Sequence, residues 1–279
     1  MTSENKLHYL IDLVDDESAE FRSEIVKQLN EYGFALEKDL KGLSANVVKD
    51  KMNILTPILT ANRMKWMEEH WQSCFNKNNF HEKIECALDL ISRFHYGIYF
   101  TPALSELLDP LSDEFRNKIS YGDELDLANF LFHEKELSGA KEDYYNPFNS
   151  NPIYTIKERK GLPITLALIY ILIGDRLGFD IRGCNFPGHF LAKITSDDDE
   201  IILIDCFNKG KIIFESDINE ALDYPVDSII DVIHNDVTAE AVITRVINNL
   251  INAYSFISDS DSINFFTNLS KQIPKNLSS

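Results

Sequence analysis

Two side chains, His189 and Asp205, have the types and the order of an acid–base pair. An imidazole takes and returns a proton near neutral pH, and a carboxylate beside it fixes the tautomer and stabilises the imidazolium. His189 follows a Pro-Gly turn, and Asp205 ends the apolar run Ile201–Asp205. Adjacent antiparallel strands bring such positions side by side. The chemistry then needs a nucleophile, best a thiol at a helix N-terminus, where the dipole and the free N–H groups favour the thiolate. Thr165 and Cys184 are the candidates: one lies in the first turn of an apolar run, the other five residues before His189. Each has a plainer reading. Thr165 suits a first-turn hydroxyl bonded to a free N–H, and Cys184 a buried structural thiol. Cys206 adjoins Asp205 and, on a strand, faces the other way. A His–Asp bond can also do no more than tie two strands together.

The elements that must position these residues are legible in the pattern. Leu162–Leu177 reads as a helix apolar on nearly all sides, started by Pro163 and stopped by Gly178, and therefore buried. Strands are expected at Asp180–Asn185, Phe190–Thr195, Ile201–Asp205 and Lys211–Phe214, with Ser196–Glu200 as a charged hairpin turn. Asp217 is expected to cap a short helix, Ile218–Leu222. Upstream, residues 5–120 read as helical, with segments at Met52–Phe75 and His81–Phe94 and a shorter one at Phe115–Ile119. Two early apolar helices about the turn Asp15-Asp-Glu-Ser18 resemble one HEAT-type repeat over some thirty residues. Glu124–Ser138 reads as helical, Tyr144–Pro152 as a proline-interrupted ordered loop, and Ile153–Lys160 as a helix ended by Gly161. Thr238–Phe256 and Asp261–Lys271 read as an antiparallel helix pair. Helices, then strands in succession, then helices indicate an α+β fold.

Composition narrows the classes of function. The 279 residues, 44% of them hydrophobic, with eighteen Phe and eleven Tyr, suffice for one good core and a smaller second one. A formal charge of −18 argues against a nucleic-acid partner, since such proteins concentrate Lys and Arg, and biases the surface toward basic partners. The polar start lacks the apolar stretch of a signal peptide, and no run is long enough to span a bilayer. A cytoplasmic protein without membrane contact is expected, with its four cysteines (Cys74, Cys86, Cys184, Cys206) reduced. Their spacing does not suit a metal, and His8, His70, His81, His95, His133 and His234 are scattered; no metal or cofactor is expected.

Five separated segments carry a family resemblance: Tyr144-Tyr-Asn-Pro-Phe-Asn149-Ser, Arg159-Lys-Gly-Leu-Pro163-Ile-Thr-Leu-Ala-Leu-Ile-Tyr170, Arg176-Leu-Gly178, Asn185-Phe-Pro-Gly-His189-Phe-Leu, and Ile204-Asp205-Cys-Phe-Asn208. In this order, over residues 128–255, the chain resembles the bacterial SirB family, whose core is transglutaminase-like and belongs to the papain-like cysteine hydrolase fold. The resemblance implies a buried helix and a small antiparallel sheet. It places the superfamily's histidine on His189, its aspartate on Asp205 and its nucleophilic cysteine on Pro163, which has no nucleophile. The SirB-type pattern itself carries proline there. Asn149 and Asn208 belong to the family's loops; with Pro163 and Asn185 they are the expected binding residues, although turn formation explains the asparagines equally well.

The expected organisation is a helical region over 1–122, a transglutaminase-like core over 123–235 and a helical hairpin over 236–279. The leading functional expectation is a degenerate transglutaminase-like protein that binds a peptide, protein or small ligand at His189 and Asp205. An active cysteine- or threonine-dependent amide hydrolase with a relocated nucleophile is the second, and a helical scaffold the third.

Overall fold

The computed structural model describes residues 3–16, 18–43, 45–99, 101–196, 198–221 and 226–275. Glu17 of the expected acidic turn and Leu222 of the expected short helix lie outside them. The fold is α+β: mostly helical, with a small antiparallel sheet. The chain divides into two compact units, Met1–Trp71 with Leu90–Thr101, and Gln72–Asp89 with Pro102–Ser279.

The first unit holds α1 (Ser3–Asp12), α2 (Ala19–Glu31), α3 (Ala35–Leu40) and α4 (Ala45–Asp50); α5 (Met52–Phe75) and α6 (Phe80–Tyr96) contribute residues to both units. Leu7, Ile11, Leu29, Leu36 and Leu55 form its core. Glu37 pairs with Arg63 and accepts from the backbone N–H of Ile98 at 2.8 Å, so a partly buried charge is satisfied.

In the second unit, α7 spans Ser105–Lys118 and runs through Pro110, so the expected short helix at Phe115–Ile119 is only its last part. Next, α8 (Glu124–Asn129) widens into a π turn over Phe130–Glu134. The helix therefore ends before Ser138, which belongs to β1 (Ser138–Gly139). Following α9 (Pro152–Glu158), the stop is Arg159 in the left-handed region (φ 59°) rather than Gly161. Gly161 lies instead in β2 (Lys160–Gly161), which pairs parallel with β1. Two-residue strands leave no periodicity to read.

The centre is α10 (Pro163–Leu177). Proline at the first position costs no hydrogen bond, and Gly178 (φ 82°) closes the helix through its N–H. Every residue from Ile164 to Gly174 is buried. The sheet, formed by β3 (Arg182–Cys184), β4 (Leu191–Thr195), β5 (Ile201–Asp205) and β6 (Lys211–Phe214), is antiparallel throughout in the order β3-β4-β5-β6. Helix α10 packs against β3 and β4. On the sheet, Leu191, Ile201 and Leu203 join Ile218 of α11 (Glu215–Ala221) and Ile229 and Ile233 of α12 (Val226–His234). With both faces covered, β5 reads Ile-Ile-Leu-Ile without alternation. Asp217 lies within α11 and does not cap it; the helix begins two residues earlier. Last come α13 (Ala239–Phe256), capped by Thr238, and α14 (Ser260–Lys271), packed as a pair.

Cys74 and Cys86 form a disulfide, which corrects the expectation of four reduced thiols. The end of α5 and the first turns of α6 bring their Cα atoms to 5.3 Å, within bridging range. Cys184 and Cys206 are free and buried. Among the described residues, no helix is long and apolar enough to cross a membrane.

Leu168, fully buried in α10, tests how far the fold depends on this helix. Leu168→Ala is expected to cost about 2–5 kcal/mol in urea unfolding, from lost burial and the cavity left behind. A cost below about 1 kcal/mol would show that α10 is not the tightly packed centre.

Candidate functional site

His189 is delivered by a turn whose sequence dictates its shape. Proline at the second position of Phe186-Pro-Gly-His189 and a left-handed Gly188 (φ 73°) at the third are what a type II turn requires. The backbone N–H of His189 closes it on Phe186 O at 3.0 Å. Asp205 is delivered by the end of β5, where a 3-10 turn, Cys206–Asn208, begins. Its Oδ1 accepts from the Asn208 N–H (3.1 Å) and its Oδ2 from Asn208 Nδ2 (2.8 Å).

The two side chains meet, His189 Nε2 lying 3.1 Å from Asp205 Oδ1. Burial works to raise the Asp205 pKa, but the hydrogen bonds from His189 and Asn208, with the attraction of His189, outweigh it and hold the carboxyl below the usual carboxylate range. The other ring nitrogen, Nδ1, accepts from the Phe190 N–H at 3.1 Å. A nitrogen that accepts carries no proton, so Nε2 carries it and donates to Asp205. Both nitrogens are thereby committed within the protein. The ring is still reachable, with the side chain 26% exposed, and Phe207 stands edge-on to it at 6.0 Å.

Neither candidate nucleophile is hydrogen-bonded to this imidazole. The Cys184 thiol is fully buried in the apolar cluster beneath β4 and β5, and its nearest acceptor is Val232 O at 3.9 Å. Burial pushes its pKa up to about 11, against the opposing pull of Lys193 and Arg245. Cys206 is fully buried too, and burial followed by Asp205 raises it well above the usual thiol value. The Thr165 hydroxyl is buried without any hydrogen-bond partner, so it makes no first-turn bond either, which corrects that expectation. The reason is geometric: the α10 N-cap is Leu162, whose own N–H is taken by Asn149 O at 3.1 Å.

The expected binding residues divide. Asn208 belongs to the pair through Asp205. Asn149 is buried and braces the preceding loop, its Nδ2 donating to the carbonyls of Asp143 and Tyr144. Pro163 is half-buried at the start of α10. Asn185 is exposed and its Oδ1 accepts from Arg245 Nη1 on α13.

Sequence reading missed three participants. Arg245 sits half-buried on α13, 5.5 Å over the ring of Phe190. Phe207 is held in place by Gly139, where an added Cβ would lie 2.5 Å from the ring. Exposed aromatic rings continue from it: Phe207 to Tyr144 (6.1 Å), Tyr144 to Tyr145 (5.4 Å), and Tyr145 stacked on Phe256 at 4.9 Å. Only the Tyr-Tyr and Cys-Phe-Asn motifs hinted at this row. Among the described residues, no three His, Cys, Asp or Glu side chains are grouped to hold a metal ion.

Comparison with known proteins agrees with the fold. Residues 102–248 match a family model described as transglutaminase-like superfamily. A UPF0162 protein of Xylella fastidiosa (strain 9a5c) is 33% identical over 132 residues, 45% of this chain and 47% of that protein. A UPF0162 protein of Vibrio cholerae is 30% identical over 83 residues, 30% of each chain. Human F-box only protein 21 is 29% identical over 135 residues, 46% of this chain and 21% of that protein. The match thus spans about half the length of the Xylella relative and less of the others. No solved structure matches the chain significantly.

Two substitutions probe the site's energetics. A depressed carboxyl pKa contributes stability above the unfolded value of about 3.9, lost as pH falls through the folded value. Asp205→Asn is therefore expected to cost about 1–3 kcal/mol near neutral pH, by urea unfolding, with the gap to wild type closing below about pH 4. A gap of constant size down to about pH 3 would contradict the assigned hydrogen bonds. Thr165→Val, which replaces an unbonded buried hydroxyl with a methyl group, is expected to raise stability by about 1 kcal/mol. A loss of that size would mean the hydroxyl has a partner.

Proposed function

The chain belongs to the transglutaminase-like superfamily, whose match takes in more than half of it, and from that premise we propose that it is a degenerate member that binds a peptide segment at His189 and Asp205 without cleaving or transferring an amide. One observation carries the reading: Nδ1 of His189 is filled by the Phe190 N–H, while Nε2 serves Asp205. A general base needs one nitrogen turned to the aspartate and the other open to the nucleophile's proton. Here the second nitrogen has no vacancy. The helix start that holds the nucleophile in the superfamily holds Pro163, and the free thiols are buried with raised pKa values.

Binding is supported by what surrounds the pair. Phe256 is 69% exposed, Tyr145 46% and Tyr144 40%, and their ring contacts lead through Phe207 to His189. Aromatic rings with a polar tip give large contact area at low entropic cost, which suits an extended peptide. The motifs shared with the SirB pattern support assigning the chain to that branch. Its setting would be cytoplasmic, and its partner a peptide or protein rather than nucleic acid or membrane.

The test has two arms on the full chain. A fluorescent iodoacetamide and a fluorophosphonate are expected to label wild type no more than His189→Ala; labelling that disappears in the variant would make the protein an enzyme. Panning a random peptide library is expected to yield binders that Tyr144→Ala weakens by about tenfold. Failure to enrich any peptide sensitive to Tyr144→Ala would remove the binding assignment.

A further inference from the structure

In a chain of net charge −18, a cation without a carboxylate partner is informative. Elsewhere in the second unit, cations are neutralised at close range: Lys83 by Glu240 at 2.8 Å, Arg176 by Glu85 and Asp109 at 2.8 and 2.6 Å, and Arg182 by Asp180 and Asp236 at 2.9 and 2.6 Å. Around His189 the pattern changes. Arg245, half-buried, donates to the neutral carbonyl of Asn185 and lies over the ring of Phe190; no carboxylate pairs with it among the described residues. Burial works against its charge, with Tyr144 and Cys184 opposing that effect. A guanidinium has five donors; one hydrogen bond to a neutral oxygen leaves most of them for a ligand.

On the other side of Phe207 lies a cavity of about 560 Å³. Lys141, Lys160 and Lys209 line it, and none has a carboxylate partner among the described residues. Lys160 Nζ donates instead to the Ser138 hydroxyl at 2.8 Å. Glu142 and Asp143 line it as well, Asp143 Oδ2 accepting from the neutral Asn146 Nδ2 at 2.8 Å, so three ammonium groups stand with two carboxylates. The ring of Phe207, edge-on to both His189 and Tyr144, links the cavity to the pair and to the aromatic row.

We propose that the segment bound at His189 and Asp205 is acidic, with one anionic group received by Arg245 and another by the lysine-lined cavity, and the apolar part of the segment on Tyr144 and Phe207. This inference rests on the peptide-binding reading and specifies its ligand. It reverses locally the bias toward basic partners that net charge alone implies, because short-range pairing outweighs the distant acidic field once salt screens the latter over about 8–10 Å. Charge-assisted hydrogen bonds to arginine serve carboxylate and phosphate alike, so the shared chemistry is an anionic group on a peptide.

The experiment is fluorescence anisotropy on the full chain with four fluorescein-labelled peptides. They share one Gly/Phe frame and differ at three positions, which carry Glu, phosphoserine, Gln or Lys. The Glu or phosphoserine peptide is expected to bind about tenfold or more tighter than the Gln peptide, and the Lys peptide most weakly. The tighter of the two anionic peptides identifies the source of the anion. Arg245→Gln is expected to weaken the anionic peptides about fivefold or more beyond any change in the Gln peptide, with partial rescue by Arg245→Lys. The double variant Lys160→Gln/Lys209→Gln changes only exposed side chains, so it tests the cavity without threatening the fold. It is expected to act in the same way. Anionic peptides that bind no tighter than the Gln peptide, or variants that weaken all four equally, would overturn the proposal. If the Gln peptide binds and Tyr144→Ala abolishes it, the peptide-binding reading survives that failure. If no peptide binds, both fall.

Discussion

The hydrogen bond from the Phe190 N–H to Nδ1 of His189 is the constraint on which the functional reading turns. An imidazole has two nitrogens, and acid–base catalysis needs both to be available in complementary states. The type II turn, the end of β5 and the 3-10 turn that follows hold one nitrogen on Asp205. The first backbone N–H after His189 then fills the other. The same chain geometry that delivers the histidine therefore also occupies its second nitrogen, and the pair stays partly exposed.

Below that feature, α10 supplies the frame. Its apolar surface is consumed on all sides by α7, α9, β3 and β4, and its N-terminus is shaped by Pro163 and by Asn149, which also braces the preceding loop. What remains open is lateral: a row of aromatic rings on one side of Phe207, a cavity on another, and a half-buried guanidinium near the turn. Net charge describes the whole surface, while recognition is decided by which charges lack a partner where a ligand sits.

Much of the fold was legible because its signals are strong. The bounds of α5, β5 and β6 are those read from pattern, and α10 begins at the proline and ends at the glycine that mark it. The contact of His189 with Asp205 follows from strand order. Other features left no local trace. Arg245 lies 60 residues downstream of Asn185, on the face of a helix like any other, and only tertiary packing brings the two together. The strands β1 and β2 are two residues each, too short for any periodicity. Helix α12 sits among residues that the sequence reading left unassigned, although its isoleucines cover the sheet. The Cys74–Cys86 bond depends on the approach of two helices, which cysteine spacing alone does not encode. Thr165 looked like a capping hydroxyl because its position suits one; its hydroxyl is buried without a partner, and the Leu162 N–H is taken by Asn149 O.

Nitrogen-15 NMR of the His189 ring, assigned by comparison with His189→Gln at alkaline pH, tests this directly. The ring should show a protonated Nε2 and an unprotonated, hydrogen-bonded Nδ1. A protonated Nδ1 would contradict it, since that nitrogen could not accept from Phe190.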